Sequence, residues 1–141
     1  MILKRRKVIA IFEQREICPF IKAQLFDKDV FLLLDSGSDT SYLDKQFFDS
    51  LNISIDIKNS LPIASGEGTE TSYGTIKTEV AIGDSIYELP MTLYDLADKF
   101  KVFSRAFSKI PVGIIGSDFF FVHRIVLDYQ QQALIAYRNI L

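Results

Sequence analysis

The feature that most constrains this chain is an uninterrupted apolar run that ends directly in a carboxylate, a hydroxyl and a glycine. Residues 30–34 read Val-Phe-Leu-Leu-Leu, and Asp35, Ser36 and Gly37 follow at once. Such a short continuous apolar run is typical of a strand that is buried on both faces. The glycine lets the backbone turn sharply beside the carboxylate. The segment therefore predicts a buried strand that presents one carboxylate at its end. The alternative interpretation of the Asp-Ser-Gly segment is a plain turn after a core strand.

Chain length and composition favour a single domain that spans residues 1–141. The 141 residues fit one domain, and a 48% share of hydrophobic residues supplies a core. A net charge of −2 gives no electrostatic reason to expect nucleic acid or an acidic membrane as a partner. The apolar run after the basic residues 4–7 is too short for a signal peptide, and no stretch reaches the roughly 20 residues of a membrane span. We therefore expect a cytoplasmic protein.

The chain contains one cysteine, Cys18, and one histidine, His123. It can form neither an internal disulfide nor a cysteine-based zinc site. A Ser-His-Asp or Cys-His site would have to use His123, whose neighbours include no nucleophile motif. We therefore interpret this histidine as a surface or capping residue.

The pattern of the remaining chain is mainly β, with two or three short helices. Ser41 and Asp44 form a capping-box-like start to one of the helices, and Gly83-Asp84 is a good two-residue hairpin turn. The predicted strands are 8–13, 20–26, 30–34, a return to strand from 53, 76–82, 85–93, 112–115, 125–129 and 133–137. The predicted helices are 41–51 and 95–108, with a helical turn at 117–122 and a flexible glycine-bearing segment at 63–75.

A second motif lies downstream of the Asp-Ser-Gly segment. Ile114, Ile115 and Gly116 stand within the run Pro-Val-Gly-Ile-Ile-Gly-Ser-Asp-Phe-Phe at residues 111–120. In this pairing of motifs the sequence resembles the retropepsin-like aspartic proteases, which include the retroviral proteases and one-domain cellular and bacterial proteins. The order and spacing match over residues 20–137. The resemblance implies a closed antiparallel β-barrel.

The resemblance also implies roles for individual residues. Asp35 would be the catalytic aspartate, Ser36 would lock two catalytic loops together across a dimer axis, and Gly37 would support the loop next to substrate. The strand beneath the loop would carry Ile114, Ile115 and Gly116, and the tip of a flap hairpin would fall at Gly66 and Gly68. The residues expected to contact substrate are Ser38, Asp39, Gly66, Gly68, Ile114, Ile115 and Gly116.

The sequence departs from the retroviral pattern in three places. Retroviral proteases often carry an arginine where this chain has Ser117, so Asp39 has no obvious ionic partner. Residues 65–68 of the expected flap are more polar and poorer in glycine. Residues 95–109 look like an added helix, for which we prefer a role in covering one edge of the barrel over a role in gating substrate.

Peptide hydrolysis by this chemistry needs two carboxylates that share one proton. The chain has a single Asp-Ser-Gly motif, so the second Asp35 must come from a two-fold-related copy. The expected protein is a homodimeric aspartic endopeptidase that acts on a peptide or protein substrate without a metal or organic cofactor. Two alternatives remain open. The domain could serve only dimerisation or peptide binding with weak or no turnover, or it could be a β-rich structural domain with coincidental motifs.

Overall fold

The computed structural model describes residues 3–15, 18–58, 63–65, 68–70, 72–106 and 110–140. They form strands and three short helices. The strands are β1 (Leu3–Ile11), β2 (Glu13–Arg15), β3 (Cys18–Leu25), β4 (Lys28–Leu34), β5 (Tyr42–Asp44), β6 (Ile63–Ser65), β7 (Gly68–Glu70), β8 (Thr75–Ile82), β9 (Ser85–Tyr94), β10 (Gly113–Ile115), β11 (Ile125–Asp128) and β12 (Ala133–Ile140). The helices are α1 (Lys45–Ser50), α2 (Ala97–Ala106) and α3 (Ser117–Val122).

Six strands close into a barrel, which confirms the predicted fold class. They are hydrogen-bonded in the order β3-β4-β10-β5-β9-β8, and β8 pairs back with β3. The antiparallel detail of the prediction is not exact, because β10 runs parallel to β4 and β5 runs parallel to β9. Parallel neighbours need long crossover connections, and the chain between these partners is long. The barrel is therefore mixed.

The apolar run of β4 alternates between two environments. Val30, Leu32 and Leu34 are buried in the barrel core, whereas Phe31 and Leu33 remain partly exposed in a single protomer. The prediction of burial on both faces therefore holds for only one face. The other face, which carries Phe31 and Leu33, is only partly covered.

A smaller sheet of β1, β12 and β11 packs beside the barrel. The predicted hairpin of residues 125–137 is confirmed by the pairing of β11 with β12. The basic run lies inside β1, not before it, and Lys7 reaches Asp84 in the β8–β9 turn at 3.1 Å. The exposed side chains of Arg5, Arg6 and Lys7 thus lie along a strand that β12 pairs on one side.

The first helix is shorter than predicted. Residues 42–44, expected as its first turn, form β5 because fully buried Leu43 fits between β10 and β9. The helix N-cap is Asp44, whose carboxylate accepts the Phe47 N–H at 3.2 Å. The cap therefore lies three residues later than the predicted Ser41.

The second helix also begins later than its apolar pattern suggested. Leu93 belongs to β9, as the predicted strand 85–93 has it, while Leu96 and Phe100 are buried. The role of this helix as an edge cover stays a prediction, and residues 107–109 of the predicted helix lie outside the described residues. The predicted return to strand from residue 53 is wrong for residues 53–58, where Lys58 alone forms a bridge, with Thr75, and residues 59–62 lie outside the described residues.

The third helix, predicted as a helical turn at residues 117–122, is confirmed. Among the described residues, no helix combines the length and apolar character that crossing a membrane requires.

Candidate active site

The Asp35 loop, defined here as residues 35–41, begins where β4 ends. The Asp35 N–H donates to the Ile115 carbonyl at 2.9 Å, which extends the parallel pairing of β4 with β10 by one bond. Leu34, one residue earlier, is buried, whereas Asp35, Ser36 and Gly37 are exposed. The strand thus places one carboxylate at the surface on a fixed backbone.

Within the loop, backbone groups orient the Asp35 carboxylate. The Gly37 N–H donates to Asp35 Oδ1 at 3.0 Å, and the Ser38 N–H donates to the Asp35 carbonyl at 3.1 Å. A Cβ at Gly37 would lie 3.2 Å from the same Oδ1, so a side chain there would crowd the carboxylate. An exposed, oriented carboxylate can accept or donate a proton in general acid–base chemistry.

The two isoleucines of β10, which form one motif in the sequence, lie in different environments. Ile115 is fully buried in the core, and Ile114 is partly exposed. In register, Ile114 lies between Leu33 on β4 and Tyr42 on β5, so the three side chains share one face. We call these three residues the outer shelf, and Ile114 is the isoleucine that lies on it.

Gly116 allows the loop and α3 to come unusually close. A Cβ on Gly116 would lie 2.5 Å from the Thr40 carbonyl oxygen and 2.7 Å from that of Ser38. The next residue, Ser117, donates its N–H to the Ser38 oxygen at 2.6 Å. Glycine is therefore required at this position by space, and the loop rests directly on the start of the helix.

Sequence analysis missed two residues that join the loop to α3. The Ser41 Oγ donates to Asp118 Oδ1 at 2.7 Å, and the Ser41 N–H donates to Oδ2 at 3.2 Å. Ser41 is fully buried, and its Oγ also accepts the Gly116 N–H at 3.0 Å. A signal was present, because an acidic residue in the first turn of a predicted helix is a cap candidate. Its partner, however, is distant in sequence.

Tyr42 is surrounded by the polar residues at the end of the loop. Two effects raise the pKa of the Tyr42 phenol: burial, which is the larger, and the negative charge of Asp39. Hydrogen bonds from the side chains of Thr40 and Ser38 lower this pKa in part. Asp39, expected to lack an ionic partner, is exposed. Its carboxylate therefore lies within electrostatic reach of the outer shelf.

This shift predicts a loss of stability at alkaline pH. A folded-state pKa raised above the unfolded value of about 10 favours the folded state while the phenol is neutral. That contribution disappears as pH rises through the folded pKa, since the phenolate would be poorly hydrated beside Asp39. Urea midpoints from pH 8 to 11.5 should fall more steeply for the wild type than for Tyr42→Phe. Tyr129→Phe, at an exposed tyrosine, is the control, and parallel wild-type and Tyr42→Phe curves would contradict the assignment.

A small hairpin occupies the interval where a flap was expected. Strands β6 and β7 pair with Ser65 opposite Gly68. Gly68 opens β7, and Gly66, the other expected tip residue, lies outside the described residues. The two strands form an antiparallel pair in this interval, and the role of this hairpin as a flap stays a prediction.

His123 is the C-cap of α3, where its N–H donates to the Phe119 carbonyl at 3.1 Å, which confirms the capping interpretation. Its ring lies against Tyr87 and Phe119, and Nε2–H donates to the Glu88 carbonyl at 2.9 Å. Over the part of the chain that the structure describes, no three His, Cys, Asp or Glu side chains cluster closely enough to hold a metal ion.

Comparisons with known proteins agree with this geometry. A family model described as aspartyl protease matches residues 21–119. Three solved structures share the fold. The first is the protease of EIAV complexed with the inhibitor HBY-793, at 20% identity and a TM-score of 0.58, covering 76% of this chain and 88% of that one. The second is a retropepsin-like aspartic protease from Rickettsia conorii. It has 14% identity and a TM-score of 0.59, and it covers 100% of this chain and 97% of that one.

The third similar structure is the retroviral protease-like domain of Ddi1 from Leishmania major. It has 16% identity and a TM-score of 0.60, and covers 94% of this chain and 96% of that one. Among curated protein sequences, none matches this chain.

Proposed function

The chain belongs to the aspartyl protease family, and from this premise we propose that it is an endopeptidase whose Asp35 pairs with Asp35 of a second copy to activate water. The observation that carries the proposal is the placement of Asp35. Its carboxylate is exposed at the end of a buried strand and is oriented by the Gly37 N–H. A surface turn with a merely structural aspartate would not need this carboxylate to remain accessible.

The proposed reaction is a direct hydrolysis. One Asp35 carboxylate takes a proton from water, and the water oxygen attacks the peptide carbonyl carbon. The other, protonated Asp35 hydrogen-bonds to the carbonyl oxygen, and a proton passes to the amine as the C–N bond breaks. Two carboxylates about 3 Å apart share one proton, and aspartic proteases are the standard example. The chemistry therefore uses two aspartates, water and no further group.

A second copy supplies the missing half of the site. The sequence holds one Asp-Ser-Gly motif, and Asp35, Ser36 and Gly37 form the exposed tip of the loop. A two-fold axis beside this tip would bring both carboxylates together. In this arrangement the Ser36 hydroxyls would link the two loops, and the hairpin of β6 and β7 would close over substrate with Gly66 and Gly68 near its tip.

A mixing experiment tests the shared site. A ninefold excess of Asp35→Asn chains, allowed to exchange, should lower cleavage per wild-type chain about tenfold, because most wild-type chains then pair with a variant. The same excess of Asp98→Asn, at an exposed residue of α2 that pairs with Lys101, should raise total activity instead. If the Asp35→Asn excess leaves cleavage per wild-type chain unchanged, the dimer proposal is wrong.

The proposed substrate has apolar side chains on both sides of the cleaved bond. Leu33 and Ile114 give the outer shelf an apolar surface next to the Asp35 loop. An apolar subsite discriminates by about 1–3 kcal/mol per methylene. Digestion of a peptide library should therefore enrich apolar residues next to the cleaved bond. Cleavage sites with charged residues at both positions would contradict this assignment.

A further inference from the structure

A hydrogen-bonded network inside one protomer fixes the far end of the Asp35 loop. Asp118 stands in the first turn of α3 and accepts from both the hydroxyl and the N–H of Ser41. The Phe119 N–H also donates to Asp118 Oδ1, at 2.9 Å. Ser41 completes the network by accepting the Gly116 N–H. One carboxylate thus connects the loop, the glycine beneath it and the helix.

We infer that Asp118 is a positioning residue, which holds the Asp35 loop in its working shape before a second copy binds. The catalytic consequence of this inference rests on the proposed function, whereas the effect on the loop does not. Hydrogen bonds to a carboxylate are stronger than those between neutral groups. Ser41 is fully buried, so loss of its acceptor would leave a donor unsatisfied where water cannot replace it.

The restraints on the loop are distributed along its length. At its start, the Asp35 N–H is bound to Ile115, and at its end, Ser41 is bound to Asp118. Between them, the Ser38 carbonyl accepts the Ser117 N–H, and the Ser38 hydroxyl donates to the Thr40 carbonyl at 2.7 Å. All of these partners belong to the same chain. The two ends of the loop are therefore each held by bonds within one chain.

Asp118→Asn is the most specific variant for this inference. The amide has nearly the size of the carboxylate, so the packing of α3 is preserved. One of its two acceptor oxygens becomes a donor. The three N–H and O–H groups that now point at Asp118 cannot all keep their acceptors without rearrangement. Ser41→Ala removes the hydroxyl from the same network and keeps the bond from the residue 41 N–H to Asp118.

Amide hydrogen exchange tests the loop without any need for activity. In Asp118→Asn, the amides of Ser41, Gly116 and Ser117 should exchange at least about tenfold faster than in the wild type. The amides of Thr78 and Val80 in the barrel wall serve as internal controls and should not change. Unchanged exchange at Ser41 and Gly116 would overturn the inference.

Kinetics test the consequence for catalysis. A loop displaced by a fraction of an ångström should lower kcat of Asp118→Asn and Ser41→Ala by about ten- to a hundredfold, with KM changed by less than about twofold. The double variant should be no worse than the poorer single one, because both remove one network. Asp98→Asn, in which an exposed carboxylate of another helix is removed in the same way, should match the wild type.

A loss confined to the melting temperature, with kcat per folded chain unchanged, would show a merely structural role and overturn the inference. A wild-type chain that cleaves no peptide would refute the proposed function instead. The exchange experiment would still decide whether Asp118 holds the loop.

Discussion

The Asp35→Asn variant is expected to lose peptide cleavage by a factor of about 10²–10⁴ or more, because proton transfer by a positioned side chain contributes that much. An amide cannot take a proton from water. The proposed two-fold axis repeats the loss in both halves of the site, so no intact carboxylate remains. The comparison is made between purified wild type and variant on the same peptide, at enzyme concentrations that keep both dimeric.

The same variant should retain its fold. Asp35 is exposed, and its Gly37 N–H partner still finds an oxygen acceptor in asparagine. Surface substitutions away from special features usually change stability by less than about 0.5 kcal/mol. In the dimer, stability should even rise, since the substitution removes the cost of holding two carboxylates together. Thermal melting across a pH series measures this, and Asp56→Asn, at another exposed aspartate, is the matched control.

The pH series also tests the shared proton. Wild-type cleavage should favour acidic pH, where the pair of carboxylates holds one proton, and should fade as rising pH removes that proton. Three other outcomes have distinct meanings. An Asp35→Asn variant that cleaves at the wild-type rate places the site elsewhere. One that cannot fold makes Asp35 a structural turn residue. A wild type that dimerises but never cleaves indicates a dimerisation or peptide-binding domain.

Local pattern was sufficient to predict those elements whose partners are close in sequence. The β8–β9 hairpin follows from alternating burial and from Gly83, which adopts a positive φ of 62° in the turn. The parallel pairs of the barrel could not be predicted in this way, because their members are far apart along the chain. The apolar spacing of Leu93, Leu96 and Phe100 runs across the end of β9 into α2, so the pattern does not show where the strand ends and the helix begins.

In the candidate site too, features within one contiguous motif were predictable, and features that join distant residues were not. The two motifs identified Asp35 and the strand that lies beside it, because each motif is contiguous. Which isoleucine faces outward depends on the register between β10 and β4, and the motif does not contain that register. The bond between Ser41 and Asp118 joins residues 77 positions apart. It becomes visible only when the barrel closes, which is why Ser41 was interpreted as a local helix cap.

The register also explains how the loop and its support depend on each other. Ile115 is buried and accepts the Asp35 N–H, while Ile114 beside it remains accessible on the outer shelf. The backbone of β10 thus fixes the position of Asp35, and the Ile114 side chain of the same strand faces the proposed substrate. Substitutions in β10 should therefore separate into those that disturb the loop and those that change specificity.

Gly116→Ala is expected to damage both the fold and the proposed activity. The added Cβ would lie 2.5 Å from the Thr40 oxygen, 2.7 Å from the Ser38 oxygen and 2.8 Å from the Thr40 carbonyl carbon. All three are backbone atoms, so no side-chain rotation can relieve the contacts. The loop must move away from α3, which stretches the bond from the Gly116 N–H to Ser41. Overpacking of this kind costs about 1–3 kcal/mol and sometimes more.

The matched control for Gly116→Ala is Gly37→Ala, the same substitution in the loop itself. A Cβ at Gly37 meets only the Asp35 carboxylate, at 3.2 Å, so this variant should keep its stability although it crowds the reacting group. Urea denaturation of both variants measures the free energy of unfolding, and peptide cleavage measures the site. We expect Gly116→Ala to lose stability and activity together, since its clash displaces the support of the loop. Equal unfolding free energies for Gly116→Ala and the wild type would contradict the close approach of α3 to the Asp35 loop, and with it the physical basis for the glycine at this position.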